Sequence, residues 1–324
     1  MKKKKVLILY SEIFSDSQKD ELDVLEQVDV VRDALIEKGY EVLQMSVSLD
    51  LNDLLIKLDE IKPDVIFNLV ETIQKTGELL YIVPALLQHL QIPYTGAPLE
   101  ALFITTSKVL TKKMMRWTGI PTADWIGMDQ LHLIDPKKRY ILKPIWEDGS
   151  LGIEEENVFY GNDSNYINGL SKYSPVKYFI EEYIDGREFN ISLWGDNKSL
   201  EILPHAEMKF VGYPEGKPKV MGFTGKWIED TFEFENTART FEIKKEDEAL
   251  HMNIDKVVTD CWNVFKLLGY ARVDMRVDDK GNIYVLEVNA NPCITEDSGF
   301  YAASEQRGYT FPDVLERIVE NAVV

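Results

Sequence analysis

The chain has 324 residues, 45% of them hydrophobic, which is ample for a core and suggests two or three domains. A formal net charge of −19 argues against nucleic acid or an acidic membrane as a general partner. With only Cys261 and Cys293 present, neither a disulfide framework nor a cysteine-based zinc site is expected, and a reducing cytoplasm fits.

The lysine run 2–5 reads as a solvated lead-in. The apolar stretch after it ends at Ser11 and Glu12. That is too short for a signal peptide's hydrophobic region, and no later run could span a bilayer. Residues 6–10 read as a buried strand. Leu22, Leu25, Val28, Val31 and Leu35 recur at helical spacing, predicting a helix over 22–38 that Gly39 ends. A strand at 41–46, a short helix, a strand at 64–70, a helix over 79–90 and the segment IPYTGA (92–97) follow. Strands alternating with helices predict a parallel sheet covered on both faces, ending near residue 100.

A helix over 105–118 carries Lys108, Lys112 and Lys113, and 119–125 reads as an extended linker. Strands at 139–146, 156–161 and 177–184 suggest a small α+β lobe. The loop EDGSLGI (147–153), rich in small residues, separates the first two. Further strands are expected at 189–195 and 199–205. The glycine- and proline-punctuated region 206–232 reads as a mobile loop. A long helix over 250–268 turns Ile254, Val257, Val258, Cys261, Val264, Phe265 and Leu268 inward, and a last helix covers 312–324. His89, His132, His205 and His251 are scattered, which suggests no metal site and a structural role for His205.

The most informative stretch is YVLEVNANPCI, 284–294, which closes the run RVDMRVDDKGNIYVLEVNANPCI, 272–294. The run reads as a hairpin with Gly281 relieving the turn. Whether the turn centres on Asp279–Lys280 or on Lys280–Gly281, Asp274 shares a face with Glu287, and Arg272 projects there too. Asn289 lies two residues beyond Glu287, on the same face. Two acids and an amide are hard ligands suited to Mg²⁺. Lys143, in the apolar strand ILKP, is a buried ammonium that needs an anion.

The order of motifs resembles the ATP-grasp ligases, and within them the D-alanine–D-alanine ligase group. The resemblance runs through FNLV, IPYTGA, TTSKVLTKKMMRWTGIPT, YILKPIWEDGSLGI, FIEEYIDGREFN, ILPHAEM, FTGKW and YARVDMRVDDKGNIYVLEVNANPCI. It implies an N-terminal parallel α/β domain followed by a two-lobed ATP-grasp fold. The segments are 1–102, a central lobe 103–184 and a C-terminal lobe 185–324, with ATP between the lobes. It implies an enzyme, an ATP-dependent carboxylate–amine ligase that forms an amide through an acyl phosphate. Its substrates would be small amino acids or peptides, and a homodimer is frequent in the family. A nucleotide-binding protein without turnover is the competing class.

The resemblance also implies roles. Lys108, Lys143 and Lys226 would meet the ATP phosphates under the loop 147–153. Glu181, Glu182, Tyr183 and Ile184 would form the hinge that reads adenine, and Glu188 would take the ribose. Asp274, Glu287 and Asn289 would hold two Mg²⁺ ions, with Mn²⁺ as an alternative. Arg272 and Ser298 would hold the second substrate's carboxylate, and Arg272 the oxyanion. Ser150 stands in the loop where the family usually has two serines; here Gly149 takes the first place. Cys293 replaces a glycine, and Trp227 a tyrosine beside Lys226. The family's first-domain histidine–glycine and Gly-Glu-Asp-Gly elements are missing. Which of Glu21, Asp23, Glu71 or Glu78 replaces its substrate-binding glutamate is left open by the sequence.

Overall fold

A computed structural model describes residues 3–196 and 198–323. Lys2 of the lead-in and Val324 of the last expected helix lie outside them. The run Val6–Leu9 within β1 (Lys5–Ser11) is fully buried. That strand lies between β2 (Glu41–Val47) and β3 (Val65–Leu69), parallel to both. Helices α1 (Lys19–Glu37), α2 (Leu51–Ile61) and α3 (Ile82–His89) flank this sheet. Helix α1 starts earlier than its apolar spacing predicts. Gln18 caps it, and Glu21 reaches back 2.8 Å to the Gln18 amide, a capping box that fixes the start ahead of the first apolar residue.

The single helix expected over 105–118 is two, α4 (Leu99–Thr106) and α5 (Lys108–Thr118). Ser107 between them is extended, and its hydroxyl accepts from the Leu110 amide, so a cap interrupts the run. The expected boundary at 102 therefore falls inside α4. Ala101 and Leu102 of α4 pack with Phe189, Val273 and Val288 of the last lobe.

The second sheet is antiparallel. It orders β4 (Trp125–Gly127), β7 (Tyr178–Glu182), β5 (Arg139–Pro144) and β6 (Val158–Tyr160), backed by α6 (Ser164–Gly169). The third sheet is built on β8 (Arg187–Gly195), with β9 (Leu200–Ile202), β10 (Ala206–Phe210) and β11 (Thr237–Thr240) on one side. The region 206–232 is thus not one loop. Its start is β10, paired to β8 and β11, and α7 (Phe223–Trp227) and α8 (Phe232–Glu235) follow. Partners distant in sequence gave these short strands their hydrogen bonds, which local glycines and prolines concealed.

Helix α9 (Glu248–Val264) ends before the predicted 268, and β12 (Gly269–Val277) pairs with β8 and with β13 (Ile283–Asn289). After α10 (Gly299–Arg307), α11 (Phe311–Glu320) returns to the first domain. Its Val314, Leu315 and Ile318 share a core with Val6, Ile8, Val24 and Val31. Among the described residues no helix is long and apolar enough to cross a membrane.

Candidate active site

The hairpin loop follows neither expected centre. Val277 pairs with Ile283, and Asp278 with Asn282, so the loop centres on Lys280. Gly281 there has φ +82°, as three-residue hairpin loops require. Continued unbroken, that register would set Asp274 opposite Leu286. A bulge between Asp274 and Met275 shifts it by one, so Asp274 faces Glu287 and Arg272 faces Asn289. One extra residue flips every later side chain to the other face, and here it restores the acids to one side.

Arg272 holds Asp274 through two hydrogen bonds of 2.8 Å. Lys108 lies 3.2 Å from Glu287 and 2.8 Å from Asp148, and also donates to the Glu147 carbonyl at 2.6 Å. Ser107 makes this possible, because it starts α5 at Lys108 and aims that side chain inward. Burial raises the Asp274 carboxyl; the guanidinium opposes this, and the Glu287 charge adds to it. Burial works against Glu287 too, but Lys108, Arg272 and Lys143 outweigh it and hold its pKa low. The Asn289 oxygen accepts from the Asn291 amide at 3.0 Å, so the expected third ligand is turned toward its own backbone.

Lys108, Glu147, Asp148, Arg272, Asp274 and Glu287 line a cavity of about 610 Å³ between the second and third sheets, whereas Asn289 faces a smaller cavity beside it. The walls of the large cavity include Ile141, Tyr183, Ile184, Val220 and Leu286, an apolar slot for a flat ring. Lys143 reaches into it and lies 2.5 Å from Glu181, which also pairs with Lys112. The Glu181 carboxylate is therefore committed to two lysines. Glu182 pairs with Lys138 at 2.6 Å, Glu188 with Arg276 at 2.6 Å, and the Tyr183 hydroxyl accepts from the Lys219 amide at 2.8 Å.

Two segments meet over the opening. Ser150 donates to the Met221 carbonyl, Trp227 to the Gly149 carbonyl, and the Phe223 amide to the Ile153 carbonyl, at 2.7, 3.0 and 2.9 Å. Gly149, Ser150 and Gly152 all have positive φ, which lets the loop bring its backbone close to the cavity. The Ser150 hydroxyl is spent on that tie. The Ser298 hydroxyl caps α10 by accepting from the Tyr301 amide. Lys226 sits over the Trp227 ring and lines the large cavity and a smaller one beside it.

The smaller cavity, about 100 Å³, lies against the first domain. Asp23, Glu71 and Cys293 line it, with buried Gln27 behind. The Gln27 amide donates to Asp23 at 3.1 Å and to Glu71 at 2.9 Å, and Cys293 donates to Asp23 at 3.3 Å. Burial is the main force raising the Glu71 carboxyl, to about 7, and it likewise raises Asp23. Glu21 is spent on the helix cap and Glu78 is exposed, so of the four acids Asp23 and Glu71 are the pair drawn together.

Sequence reasoning missed the parts played by Gln27, Lys112 and Arg276, which reach Glu71, Glu181 and Glu188, acids distant along the chain. Helical spacing alone signalled Gln27, four residues after Asp23. It also missed that His205 and His251 meet, with their Nδ1 atoms 2.5 Å apart and His205 2.8 Å from Asp255. This pair lies outside the cavity.

A nucleotide-sized cleft between two antiparallel lobes, with lysines on one wall and an acidic hairpin on the other, is the arrangement of an ATP-grasp ligase. The family model described as the D-Ala–D-Ala ligase C-terminus matches residues 114–320. The D-alanine–D-alanine ligase of Rickettsia bellii is 30% identical over 294 residues, 89% of this chain and 84% of that one. The ligase of Francisella tularensis subsp. novicida is 27% identical over 99% of this chain and 100% of its own length. The crystal structure of the Bacillus anthracis D-alanine–D-alanine ligase complexed with ATP superposes with a TM-score of 0.74 at 22% identity, covering 98% and 97% of the two chains. The chain belongs to the D-alanine–D-alanine ligase family, as an ATP-dependent ligase that forms a C–N bond. ATP and Mg²⁺ are general to that family, as are small amino acid substrates.

Proposed function

We propose that this chain activates the carboxylate of a small amino acid as an acyl phosphate and joins it to the amine of a second amino acid or peptide. A free carboxylate is a poor electrophile and its oxygen a poor leaving group; phosphorylation cures both. The observation that carries this reading is the file Lys108–Glu287–Asp274–Arg272 along one cleft. Nucleotide binding alone would not need the arginine beside the acids.

In this reading Lys108, Lys143 and Lys226 face the triphosphate and stabilise the charge of phosphoryl transfer. The adenine lies against Tyr183, Ile184 and Ile141, with Glu182 and Glu188 at its sugar side. Glu181 acts through the lysines it holds. Asp274 and Glu287 offer hard carboxylate oxygens that fit Mg²⁺, and Asn289 would join them once its amide oxygen gives up the Asn291 amide; two such ions, with Mn²⁺ as a substitute, would neutralise the phosphate oxygens. A guanidinium has five N–H donors. Arg272 uses two on Asp274 and keeps three for the oxyanion and the acceptor's carboxylate, beside Ser298 and the N-terminus of α10. The tie between 149–153 and 221–227 excludes the water that would hydrolyse the acyl phosphate.

The donor's ammonium sits between Asp23 and Glu71. Two carboxylates with a shared amide, in a cavity of about 100 Å³, favour a small donor, D-alanine or another small amino acid. A cytoplasmic setting suits the free cysteines, and a homodimer is the expected assembly. The test is phosphate release from ATP and Mg²⁺ with a panel of D- and L-amino acids, singly and in pairs. Release with D-alanine alone narrows the reading to D-alanyl-D-alanine synthesis. Release with other donors supports it as stated. Silence across the panel sinks the ligase reading and leaves a nucleotide-binding protein.

A further inference from the structure

Lys112 is fully buried on α5, away from the cavity wall. Its ammonium donates to the Thr122 hydroxyl at 2.7 Å and pairs with one oxygen of Glu181. The other Glu181 oxygen lies 2.5 Å from Lys143. Thr122 in turn donates to the Val285 carbonyl at 2.7 Å, and the Val285 amide donates to the Pro121 carbonyl at 2.9 Å. One polar chain thus runs from β13, which carries Glu287, through Thr122, Lys112 and Glu181 to Lys143 on the opposite lobe.

Stability alone does not account for such a group. Three charges withdrawn from water are costly, and apolar residues of the same volume often hold a fold equally well. The arrangement has a more specific effect. With Lys143 as its sole partner, Glu181 would cancel that lysine's charge and hold it back from a phosphate. With two ammonium groups sharing one carboxylate, a net positive charge remains at the cavity wall.

We infer that Lys112 is a positioning residue for the nucleotide: by sharing Glu181 it leaves Lys143 free to meet phosphate, and through Thr122 it sets Lys143 in register with the hairpin that carries Asp274 and Glu287. Lys112 touches neither nucleotide nor reacting atoms. The inference rests on the nucleotide reading of the large cavity.

The test is a double-mutant cycle on Lys112→Met and Glu181→Gln, read as the affinity for adenylyl imidodiphosphate with Mg²⁺ by calorimetry, with the fold checked by circular dichroism. Lys112→Met is expected to weaken binding about tenfold, and the effect is expected to vanish once Glu181 is neutral. Glu181→Gln and the double variant should therefore agree within about twofold. A further loss of affinity in the double variant equal to that of Lys112→Met alone would overturn the inference, since it would mean that Lys112 supports the fold without acting through Glu181. Should Lys112→Met fail to fold, the comparison of Glu181→Gln with the double variant decides alone, with circular dichroism confirming that both fold, since Glu181→Gln leaves buried Lys112 facing only the Thr122 hydroxyl. Absence of nucleotide binding in the unaltered protein overturns the nucleotide reading and this inference together; binding with an additive cycle overturns only the latter.

Discussion

Arg272 grips Asp274 with two parallel hydrogen bonds of 2.8 Å, while Asp274 stands across the hairpin from Glu287. The fork orients the guanidinium and leaves its other edge open. A lysine cannot reproduce two parallel bonds. Arg272→Lys is expected to lower turnover by about 10²–10³-fold, the usual cost of losing an oxyanion donor. The melting temperature should barely move, because a cation still faces Asp274. Steady-state phosphate release checks this, and undiminished turnover would remove Arg272 from the chemistry.

Glu287→Gln is expected to abolish turnover at the Mg²⁺ concentrations that saturate the unaltered protein, without unfolding the chain. Lys108 keeps Asp148 at 2.8 Å and so is not left as an unpaired buried charge. The loss should appear in a Mg²⁺ titration as a requirement for much higher ion concentrations. Normal Mg²⁺ dependence in this variant would count against the hairpin as the metal site.

The Glu71 carboxyl, raised by burial to about 7, gives donor binding a pH dependence. Above that value it is ionised and attracts an ammonium. Below it the carboxyl is neutral and the attraction falls. The donor KM is therefore expected to rise between pH 8 and pH 6. In Glu71→Gln the donor KM should be at least about tenfold higher, in line with a lost charge-assisted hydrogen bond, and flat across that range. A donor KM that falls with acidity in the unaltered protein would contradict this.

His205 and His251 share one close Nδ1 contact, so they cannot both carry a proton there. Burial holds both below the ordinary histidine value. Asp255 opposes this at His205, and the charge of His205 adds to it at His251. Asp247 and Arg187 also act on His251. Unfolded histidines take up protons near 6.5, the folded pair only at lower pH. Stability contributed above 6.5 is thus lost as pH falls through and below it. The melting temperature should drop between pH 7.5 and pH 5.5, and by less in His251→Phe, where the ring can meet Phe189 edge to face as His251 does. An identical drop in both proteins would show that other groups carry the acid sensitivity.

Legibility varied with the range of the interaction. Apolar spacing located α1, α9 and the first parallel strands, since each pattern repeats within a few residues. Boundaries failed where one side chain intervened: the Ser107 cap split a helix, and the Gln18–Glu21 box moved another's start. The 206–232 region was misread because β10 takes its hydrogen bonds from Glu188–Asn190 and from Thr237–Thr240. In the hairpin, the shared face of Asp274 and Glu287 was expected from turns that do not occur. A centre on Lys280 and a compensating bulge produce the same outcome.

The sequence by itself determined the kind of chemistry, because the acids, amide and arginine of 272–289 lie close together along the chain on one hairpin. Only the tertiary structure decided which acids of the first domain meet at the smaller cavity and what Lys143 is held against. Asp23 and Glu71 belong to different elements of the first domain and meet through Gln27, while Lys112 and Lys143 meet at Glu181. Such meetings depend on how sheets and helices bury their faces against one another, and no local pattern encodes them. Burial then changes the groups themselves: a carboxyl taken out of water, as at Glu71, becomes a different acid from the one written in the chain.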